Sequence, residues 1–433
     1  PLWLKIQKEE IQMRNLKRAL SLALAAIMLI GMMVVSASAA GFDDFSDKDE
    51  IVNKDAVSML VSLGIIEGKP DGSYGPTENV DRAQMAKMLS VIMNKGVDNS
   101  ALYQSVNSGL VDVNTNWAKG HINYCYTTGI IAGRGNGKFD PSATVTALEA
   151  AKMLLVAVGY DPAIEGFEGA DWAINVSVRA DEQGIFEGFT KDLSAPLNRD
   201  DAALLIYNAL DVEMIQSYTT NNYPIVYSDH RTILSDKYGV IKVEGVVTAN
   251  EWAILDDDTD TALQEGKTRI YNPDGILSTT GNTAVAQDSS ANVKTQVFNV
   301  STPVDMLGKA VTMYVKKTTI LADSTVYGAP VVSDVNTVIE TGEKVTGGDS
   351  KDDDSLAALL KGTGLATDKA TEYYHNYEEV AIDSADVDDI MNVKGAALTV
   401  IDNDNDGYVN YVISVEKSLT HVSGVSSKNE TTT

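Results

Sequence analysis

The sequence predicts a multidomain chain of the α plus β class, with a helical N-terminal half and a β-rich C-terminal half. A Gly-Ile-Ile/Phe-x-Gly segment occurs three times, at residues 64–68, 129–133 and 184–188. Apolar residues flank each copy at the spacing of amphipathic helices. Past residue 212 the pattern changes to short runs of β-branched and aromatic residues. A motif repeated in register indicates one supersecondary unit used several times, with a core completed by packing the copies together.

Each repeated unit is predicted to be a helix, a loop and a second helix. In the second unit, apolar residues recur from Ala118 at spacings of three and four, and Gly129 follows where a left-handed C-cap is expected. Turn dipeptides mark the loops, Asp-Gly at residues 71–72 and Asn-Gly at residues 136–137. The second helices begin at capping signatures: Thr146 with Glu149, and the close variants Asp81 with Gln84 and Asn198 with Asp201.

These motifs, in this order and register, resemble the surface-layer homology (SLH) family. Its units carry an aromatic-led first helix, a Gly-Ile-Ile-x-Gly turn, an Asp-Gly-x-Phe-x-Pro loop and a Thr-Arg-Ala-Glu helix start. The resemblance covers residues 42–212 and implies an all-α, pseudo-threefold bundle of three SLH repeats. It also implies an exported protein held non-covalently on the bacterial cell wall through a secondary wall polysaccharide, which is often pyruvylated.

Three departures from the family pattern bear on ligand binding. Val52 stands where the second and third units have Trp117 and Trp172. Ala147 occupies the arginine position of the second unit. The loop of the third unit is three residues shorter and lacks the Asp-Gly-x-Phe signature.

The helix starts and the resemblance together predict a polysaccharide-binding site. Arg82 and Arg199 each follow a helix cap by one residue, where free N–H groups and the helix dipole favour an anion. The planar guanidinium grips a carboxylate, such as that of a pyruvyl ketal, through two hydrogen bonds, and a tryptophan can stack on a sugar. The predicted site comprises Arg82, Arg199, Trp117, Trp172, Asp71, Gly72 and Gly137.

A structural alternative exists for each of these residue types. The arginines would then bond to acids of a neighbouring unit, and the tryptophans would belong to the core. Gln84, Glu149 and Asp201 are expected to cap helices rather than to contact a ligand. His121, on a predicted first helix, is expected to be a packing or surface residue.

The start of the chain has the features of an export signal. Three basic residues between positions 14 and 18 precede an apolar run, residues 19–35, which ends in Ala-Ser-Ala. We predict that residues 1–39 are an upstream extension and a signal peptide that starts at Met13 and is cleaved near Ala39. A membrane anchor is the alternative. Because the chain begins with proline and stops in three threonines, a fragment of a longer protein is also an expectation.

The composition agrees with an extracellular location. The net charge of the 433 residues is −27, and removal of the basic leader would bring the mature chain to about −30. Such a chain is a poor ligand for nucleic acid and attracts cations. Cys125 is the only cysteine, so it cannot form an internal disulfide, and its place on an apolar helix face predicts a small buried side chain.

The C-terminal half, residues 213–433, is predicted to be β-rich and sandwich-like. We predict strands at residues 240–248, 310–316, 397–401 and 408–415, with one short helix at residues 356–361. The three units before it are assigned to residues 40–98, 99–160 and 161–212. The acidic run at residues 347–354 is predicted to be a loop or linker, and two small domains split near it are one option for this half.

One acidic segment of this half has the spacing of a calcium loop. Asp402, Asp404 and Asp406 occupy positions one, three and five, and a glycine occupies position six. Position twelve is Ile413, so the bidentate glutamate of an EF-hand is missing. A hairpin turn and a weak calcium site are the two alternatives. The acidic run at residues 256–260 is predicted to be a solvated loop.

No pattern in the sequence indicates catalysis. The four histidines are scattered without metal-ligand spacing, and nucleophile-elbow, phosphate-loop and dinucleotide motifs are missing from the sequence. We therefore expect a non-catalytic, non-enzyme surface-layer protein that requires no cofactor, binds wall polysaccharide and associates with itself in a layer. The alternatives are the anchoring part of a cell-surface polysaccharide hydrolase and an adhesin whose β region binds glycans.

Overall fold

The computed structural model describes residues 42–255, 262–273, 294–316, 324–341, 356–380, 396–416, 425–426 and 431–432. The predicted leader and the acidic runs at residues 256–260 and 347–354 lie outside these ranges. The described chain begins with helices and continues with β-strands, as the sequence predicts.

Six α-helices form the N-terminal region, two from each unit. They are α1 (Lys54–Ser62), α2 (Arg82–Met93), α3 (Lys119–Thr127), α4 (Ala147–Val158), α5 (Trp172–Glu182) and α6 (Arg199–Leu210). Short 3₁₀ segments lie at Phe42–Asp44, Lys48–Glu50 and Ser100–Tyr103. Among the residues described, no helix is long and apolar enough to cross a membrane.

The predicted helix signals explain where these helices begin and end. Full capping boxes open α2 and α4, since Asp81 and Gln84 bond reciprocally, as do Thr146 and Glu149. Only one of the two capping-box hydrogen bonds forms before α6. The N–H of Asp201 donates to the side chain of Asn198, but the carboxylate of Asp201 bonds to Lys191 and not to the backbone N–H of Asn198. Behind α3, Gly129 has a φ of +80°, a conformation that glycine adopts without steric cost.

A ring of three backbone hydrogen bonds closes the helical region. The N–H of Val80 donates to the carbonyl of Leu197 at 2.8 Å, that of Leu197 to Val145 at 2.8 Å, and that of Val145 to Val80 at 2.9 Å. All three residues are buried and stand just before the caps of α2, α6 and α4. Each unit therefore bonds to the other two at equivalent positions, which is the pseudo-threefold arrangement implied by the resemblance.

The helices follow the same cyclic order. The first helix of one unit packs on the second helix of the unit before it: α3 on α2, α5 on α4, and α1 on α6. Residues from all three units share one hydrophobic core, so no unit buries its apolar face alone. Cys125 lies in this core and its thiol is 3.4 Å from the carbonyl oxygen of Ala86, which confirms that it is a buried side chain.

Two carboxylate acceptors fix the loops of the first two units. The carboxylate of Asp47 accepts hydrogen bonds from the N–H groups of Tyr74 and Gly75 at 2.7 and 2.8 Å. Asp112 does the same for Phe139 and Asp140 at 2.9 and 2.7 Å. Burial alone would raise the pKa of both carboxyls, but these N–H donors outweigh it and the net pKa is lowered. The loops are thus held in one conformation against the helices.

The described residues of the C-terminal region form two five-stranded sheets and two small hairpins. The first sheet has the order β5-β4-β3-β6-β7 and the second the order β10-β9-β12-β11-β8. The strands are β1 (Ile215–Tyr218), β2 (Pro224–Val226), β3 (Val240–Ala249), β4 (Thr268–Tyr271), β5 (Thr295–Phe298), β6 (Ala310–Lys316), β7 (Val326–Val332), β8 (Thr337–Glu340), β9 (Glu372–His375), β10 (Glu378–Glu379), β11 (Ala396–Asp402), β12 (Tyr411–Glu416), β13 (Val425–Ser426) and β14 (Thr431–Thr432).

The four strands and the short helix predicted here are confirmed, with α7 at Leu356–Leu360. One boundary differs from the expectation. Strand β8 precedes residues 347–354, yet it pairs with β11, which follows them. Strands on both sides of the acidic run therefore belong to one sheet, which is not the arrangement that a domain boundary there predicts.

Apolar contacts join the regions. Phe298 of the first sheet and Ile413 of the second lie in one buried cluster, which agrees with a sandwich-like packing. At the junction with the helices, the rings of Tyr207 and Tyr314 meet edge to face at 5.9 Å. Tyr314 belongs to the helical core, so that core continues into the β region.

Candidate functional site

The predicted arginines are built into contacts between units. The Nε of Arg82 on α2 donates to the carbonyl of Phe139 at 2.8 Å, and its Nη2 donates to that of Ala132 at 2.9 Å. Both acceptors belong to the loop of the second unit. The guanidinium carbon lies 4.4 Å from the centroid of the Phe139 ring, and Arg82 is only 5% exposed.

Arg199 on α6 makes the same contacts with the loop of the first unit. Its Nε donates to the carbonyl of Tyr74 at 2.9 Å and its Nη2 to that of Glu67 at 3.1 Å. Its guanidinium carbon lies 4.7 Å from the Tyr74 ring centroid. The neighbouring unit thus supplies carbonyl oxygens, not the acids that the structural alternative proposed. Within the described residues neither arginine has a hydrogen-bond partner at Nη1, which leaves that edge of the fork available to an anion.

A groove lies beside Arg82. We call it groove 1, and Arg82, Lys152 and Trp172 define it; its volume is about 510 Å³. The three units contribute one wall each, since Arg82 comes from the first, Lys152 from the second and Trp172 from the third. The remaining lining includes Arg134, Glu149, Glu168, Gly133 and Phe167.

Groove 1 carries three cations and two carboxylates. Arg134 contacts Glu149 at 3.0 Å, and Lys152 donates to the carbonyl of Phe167 at 2.6 Å. Burial, reinforced by the charge of Arg134, lowers the pKa of Arg82 to about 10, so the guanidinium stays charged at neutral pH. Burial also lowers the pKa of Lys152. A ligand that brings a negative charge would relieve this crowding of cations.

An aromatic wall completes groove 1. Trp172 is the first residue of α5 and is half-buried, with its ring 5.8 Å from the Nζ of Lys152. A cation beside an aromatic face, with a free guanidinium edge nearby, suits a sugar that carries an acidic group.

The cyclic packing gives a second set of equivalent residues, which we call groove 2 and define by Arg199, Lys87 and Trp117. Lys87 and Arg199 both contact Glu67, through its carboxylate at 3.3 Å and its carbonyl at 3.1 Å. Trp117 lies two residues before α3, and α3 packs on α2, the helix that carries Lys87. Groove 2 therefore has an arginine, a lysine and a tryptophan in the same order as groove 1.

The third equivalent position, groove 3, is defined by Ala147, Leu204 and Val52. Ala147 begins α4, as Arg82 begins α2. Leu204 lies five residues into α6, as Lys152 does in α4. Val52 precedes α1, which packs on α6. The missing arginine and the missing tryptophan noted in the sequence thus belong to one groove. Groove 3 has neither the fork, nor the lysine, nor the aromatic ring.

The structure assigns the predicted arginines and tryptophans to two groups. Arg82 and Trp172 line groove 1, and Arg199 and Trp117 belong to groove 2. Trp117 is 58% exposed, so the interpretation that it is a core residue is wrong. Beneath it His121 is buried and bonds to Ser90 at 2.6 Å, which confirms its packing role.

The loop residues Asp71, Gly72 and Gly137 are not among the residues that line groove 1. Asp71 accepts hydrogen bonds from the N–H and hydroxyl of Ser73 at 3.0 and 2.7 Å. Gly72 and Gly137 have φ values of +84° and +69°. These residues shape the turns, and a direct ligand contact by them stays a prediction.

Sequence reasoning missed Arg134, Lys152 and Glu168. A signal existed for the lysine, since Lys152 and the capping residue Glu149 are the only charged residues of the largely apolar α4. Arg134 follows the Gly-Ile-Ile-x-Gly turn directly, where the first unit has Lys69. Only the cyclic packing shows that these cations converge on Arg82.

The acidic segment of the second sheet forms the turn between β11 and β12, which pair as a hairpin. Asp402 is buried, and its carboxylate accepts from the N–H groups of Asn405 and Gly407 at 2.8 and 3.1 Å. Ligand atoms of Asp402, Asp404 and Asp406 lie within 4.8 Å of one another. The hairpin is confirmed, and calcium binding stays a prediction.

Comparison with known proteins identifies the helical region. The S-layer homology domain family matches residues 44–86 and 111–151. The N-terminal region carries S-layer homology domains. The third unit lies outside the matched residues, but its helices and its place in the hydrogen-bonded ring are equivalent to those of the other two.

Similar proteins are found among surface proteins and enzymes. The chain is 28% identical to a cell surface protein of Thermoanaerobacter kivui over 90% of the chain and 44% of that protein. It is 32% identical to an S-layer protein of Bacillus licheniformis over 35% of the chain and 16% of that protein. It is 30% identical to an amylopullulanase of Thermoanaerobacterium thermosulfurigenes over 39% of the chain and 9% of that protein.

The chain thus spans less than half the length of these relatives. The domain match and the relatives' names indicate a secreted protein located in the cell wall or surface layer.

Proposed function

We propose that this protein is a non-catalytic component of the cell surface that its S-layer homology domains hold on an acidic wall polysaccharide. Groove 1 is the observation that carries the proposal. It joins a free guanidinium edge, two further cations and an aromatic ring from three different units, which is the chemistry that an acidic sugar requires.

Grooves 1 and 2 would bind the polymer together. Two weak sites on one rigid bundle raise the overall affinity for a repeating polymer, because the second binding event becomes intramolecular. A pyruvyl ketal is the ligand group that the resemblance implies, and its carboxylate fits the Nη1 edge of either arginine. Groove 3 would not contribute.

The extent of the sequence matches supports a surface component over the anchor of an enzyme. The match to the cell surface protein covers 90% of the chain, so it includes strands as well as helices. The match to the amylopullulanase covers 39% of the chain. We therefore propose that the β region contributes to surface display or to contacts between copies, with the anchor of a polysaccharide hydrolase as the second candidate.

Sedimentation with isolated wall sacculi tests the anchor. The full chain should sediment with intact sacculi and should remain in solution when the polysaccharide has been extracted and only peptidoglycan is left. Equal sedimentation with extracted sacculi would contradict a polysaccharide ligand. A protein that sediments with neither would contradict the anchor itself.

A further inference from the structure

A second concave site lies in the β region, at the junction of the two sheets. It is lined by Arg269 and Tyr271 of β4 and by residues of β9, β10 and β12 in the other sheet, with a volume of about 350 Å³. This volume is at the lower end of the range of small-molecule sites, about 300–1,000 Å³. We call it the sheet cleft.

Aromatic rings form a large part of its wall. Tyr271 and Tyr411 are half-buried and Tyr374 is buried, and the rings of Tyr374 and Tyr411 lie 6.1 Å apart. A tyrosine presents an apolar face and a polar edge, which suits a ligand with apolar C–H faces and equatorial hydroxyl groups.

The polar groups of the cleft include donors and acceptors in fixed positions. The hydroxyl of Tyr374 donates to the carboxylate of Glu372 at 2.8 Å. Burial and this hydrogen bond raise the pKa of Tyr374, so its hydroxyl stays protonated and continues to orient the carboxylate. On the other sheet, the Nε of Arg269 donates to the hydroxyl of Thr248 at 2.9 Å. Tyr374 and Thr248 therefore hold Glu372 and Arg269 in position before any ligand binds.

The charge of the cleft is opposite to that of groove 1. Two carboxylates, Glu372 and Glu379, face one cation, Arg269, so an acidic polymer is disfavoured. A neutral ligand with many hydroxyl groups can donate hydrogen bonds to the carboxylates and accept them from the guanidinium, and it adds no charge to the cleft.

From this geometry we propose that the sheet cleft binds one or two residues of a neutral glycan. The sugar's apolar face lies against Tyr271 or Tyr411, and its hydroxyl groups donate to Glu372 and Glu379. The site is independent of the proposed polysaccharide anchor, because it is built on strands of the two sheets and not on the helical bundle, and because it selects for the absence of an acidic group.

Titration of the full chain with cellobiose and with N,N′-diacetylchitobiose tests this proposal, with saturation-transfer NMR as the readout. At least one of these disaccharides should bind saturably at millimolar concentration. Tyr411→Ala should weaken binding about tenfold, as loss of a stacking ring does. Because Tyr411 also packs against Tyr374, the isosteric Glu379→Gln is the second variant. It should weaken binding, and thermal unfolding checks that the variant is folded.

Matched variants control for general effects. Tyr408→Ala changes an exposed residue of the turn between β11 and β12, and Glu340→Gln changes an exposed residue of β8. Neither residue lines the cleft, so both variants should leave disaccharide binding intact. Arg82→Ala should also leave it intact, which separates this site from groove 1. No saturable binding of either disaccharide, or binding that survives both cleft variants, would overturn the proposal. If the native chain binds neither disaccharide and Tyr411→Ala loses self-association, the cleft mediates contacts between copies. That result would also overturn the proposal.

Discussion

Groove 1 of the helical bundle and the sheet cleft have similar architecture but opposite charge. Each is walled by aromatic rings and by charged groups from separate elements. Groove 1 has three cations and two carboxylates, whereas the cleft has one cation and two carboxylates. The comparison suggests that an aromatic wall provides a general surface for sugars, and that the surrounding charge selects acidic or neutral ones.

The largest expected effect comes from removing the arginine fork. Arg82→Ala and Arg199→Ala should each weaken binding to purified wall polymer about ten- to a hundredfold, because a charge-assisted contact is worth about 1.5–3 kcal/mol. Arg179→Ala is the matched control. That arginine lies on α5, outside both grooves, and is paired with Glu165 of the preceding loop and with Glu182 of the same helix. Unchanged affinity in a folded double variant would assign the two arginines a purely structural role.

The structure changes one part of this experiment. Arg82 and Arg199 also hold the neighbouring loops through two carbonyls each, so their removal should lower the melting temperature. Arg82→Lys keeps the charge and loses the fork. If its polymer affinity equals that of the native protein, the charge alone suffices and the two-bond geometry is not required.

The second prediction concerns the junction of the two regions. Asp211 follows α6 and is 27% exposed. Burial raises the pKa of its carboxyl to about 6, and Lys242 at 3.9 Å offsets this only in part. A folded-state pKa above the unfolded value means that folding is favoured most at low pH and loses stability as pH rises towards 6.

Asp211→Asn should therefore stabilise the chain at neutral pH by about 1–2 kcal/mol. The gain in unfolding free energy over the native protein should be small near pH 4, should grow up to about pH 6 and should then stay constant. Thermal unfolding across this range measures it. A variant that is less stable at pH 7 would show that the ion pair with Lys242 outweighs the cost of burying the charge.

A third, smaller effect separates the grooves from the general charge of the surface. Lys152→Ala and Lys87→Ala should each reduce polymer affinity about fivefold, the equivalent of about 1 kcal/mol. Lys191→Ala should have no effect, since Lys191 lies in the loop of the third unit and bonds to Asp201. Equal losses in all three variants would point to unspecific attraction rather than to two defined grooves.

The smallest expected effect is in the acidic turn. Burial and the charges of Asp406 and Asp402 raise the pKa of Asp404, so repulsion destabilises the turn. Asp404→Asn with Asp406→Asn should stabilise the metal-free chain by a few tenths of a kcal/mol, because water screens these exposed groups. Calcium should shift the melting temperature of the native protein no more than magnesium does. A larger, calcium-specific shift that the double variant abolishes would establish a metal site.

The sequence predicted the elements well because their signals are local. Capping at Thr146, the C-terminal glycine at 129 and the alternation in residues 310–316 depend only on neighbouring residues. Apart from β3, β6, β11 and β12, the strands of the C-terminal region carried no comparable pattern and were not predicted. The parallel pairing of β9 with β12 joins residues about 40 positions apart, a relation that composition does not show.

The candidate site was predicted in part for the same reason. Arg82, Arg199 and Trp172 follow from repeat register, but the partners of each come from other units. Lys152 and Arg134 became recognisable only when α5 packed on α4 and the loop of the second unit met Arg82. The convergence of Val52 and Ala147 on groove 3 likewise depends on the order in which the units close.

One measurement tests most directly whether charge selects the ligand of the helical bundle. The full chain is titrated with purified wall polymer before and after its acidic groups are removed, and the affinity is measured by calorimetry. We predict that removal lowers the affinity at least about tenfold, and that the neutral polymer then binds the native chain and the Arg82→Ala/Arg199→Ala variant equally. Undiminished affinity for the neutral polymer would contradict the account.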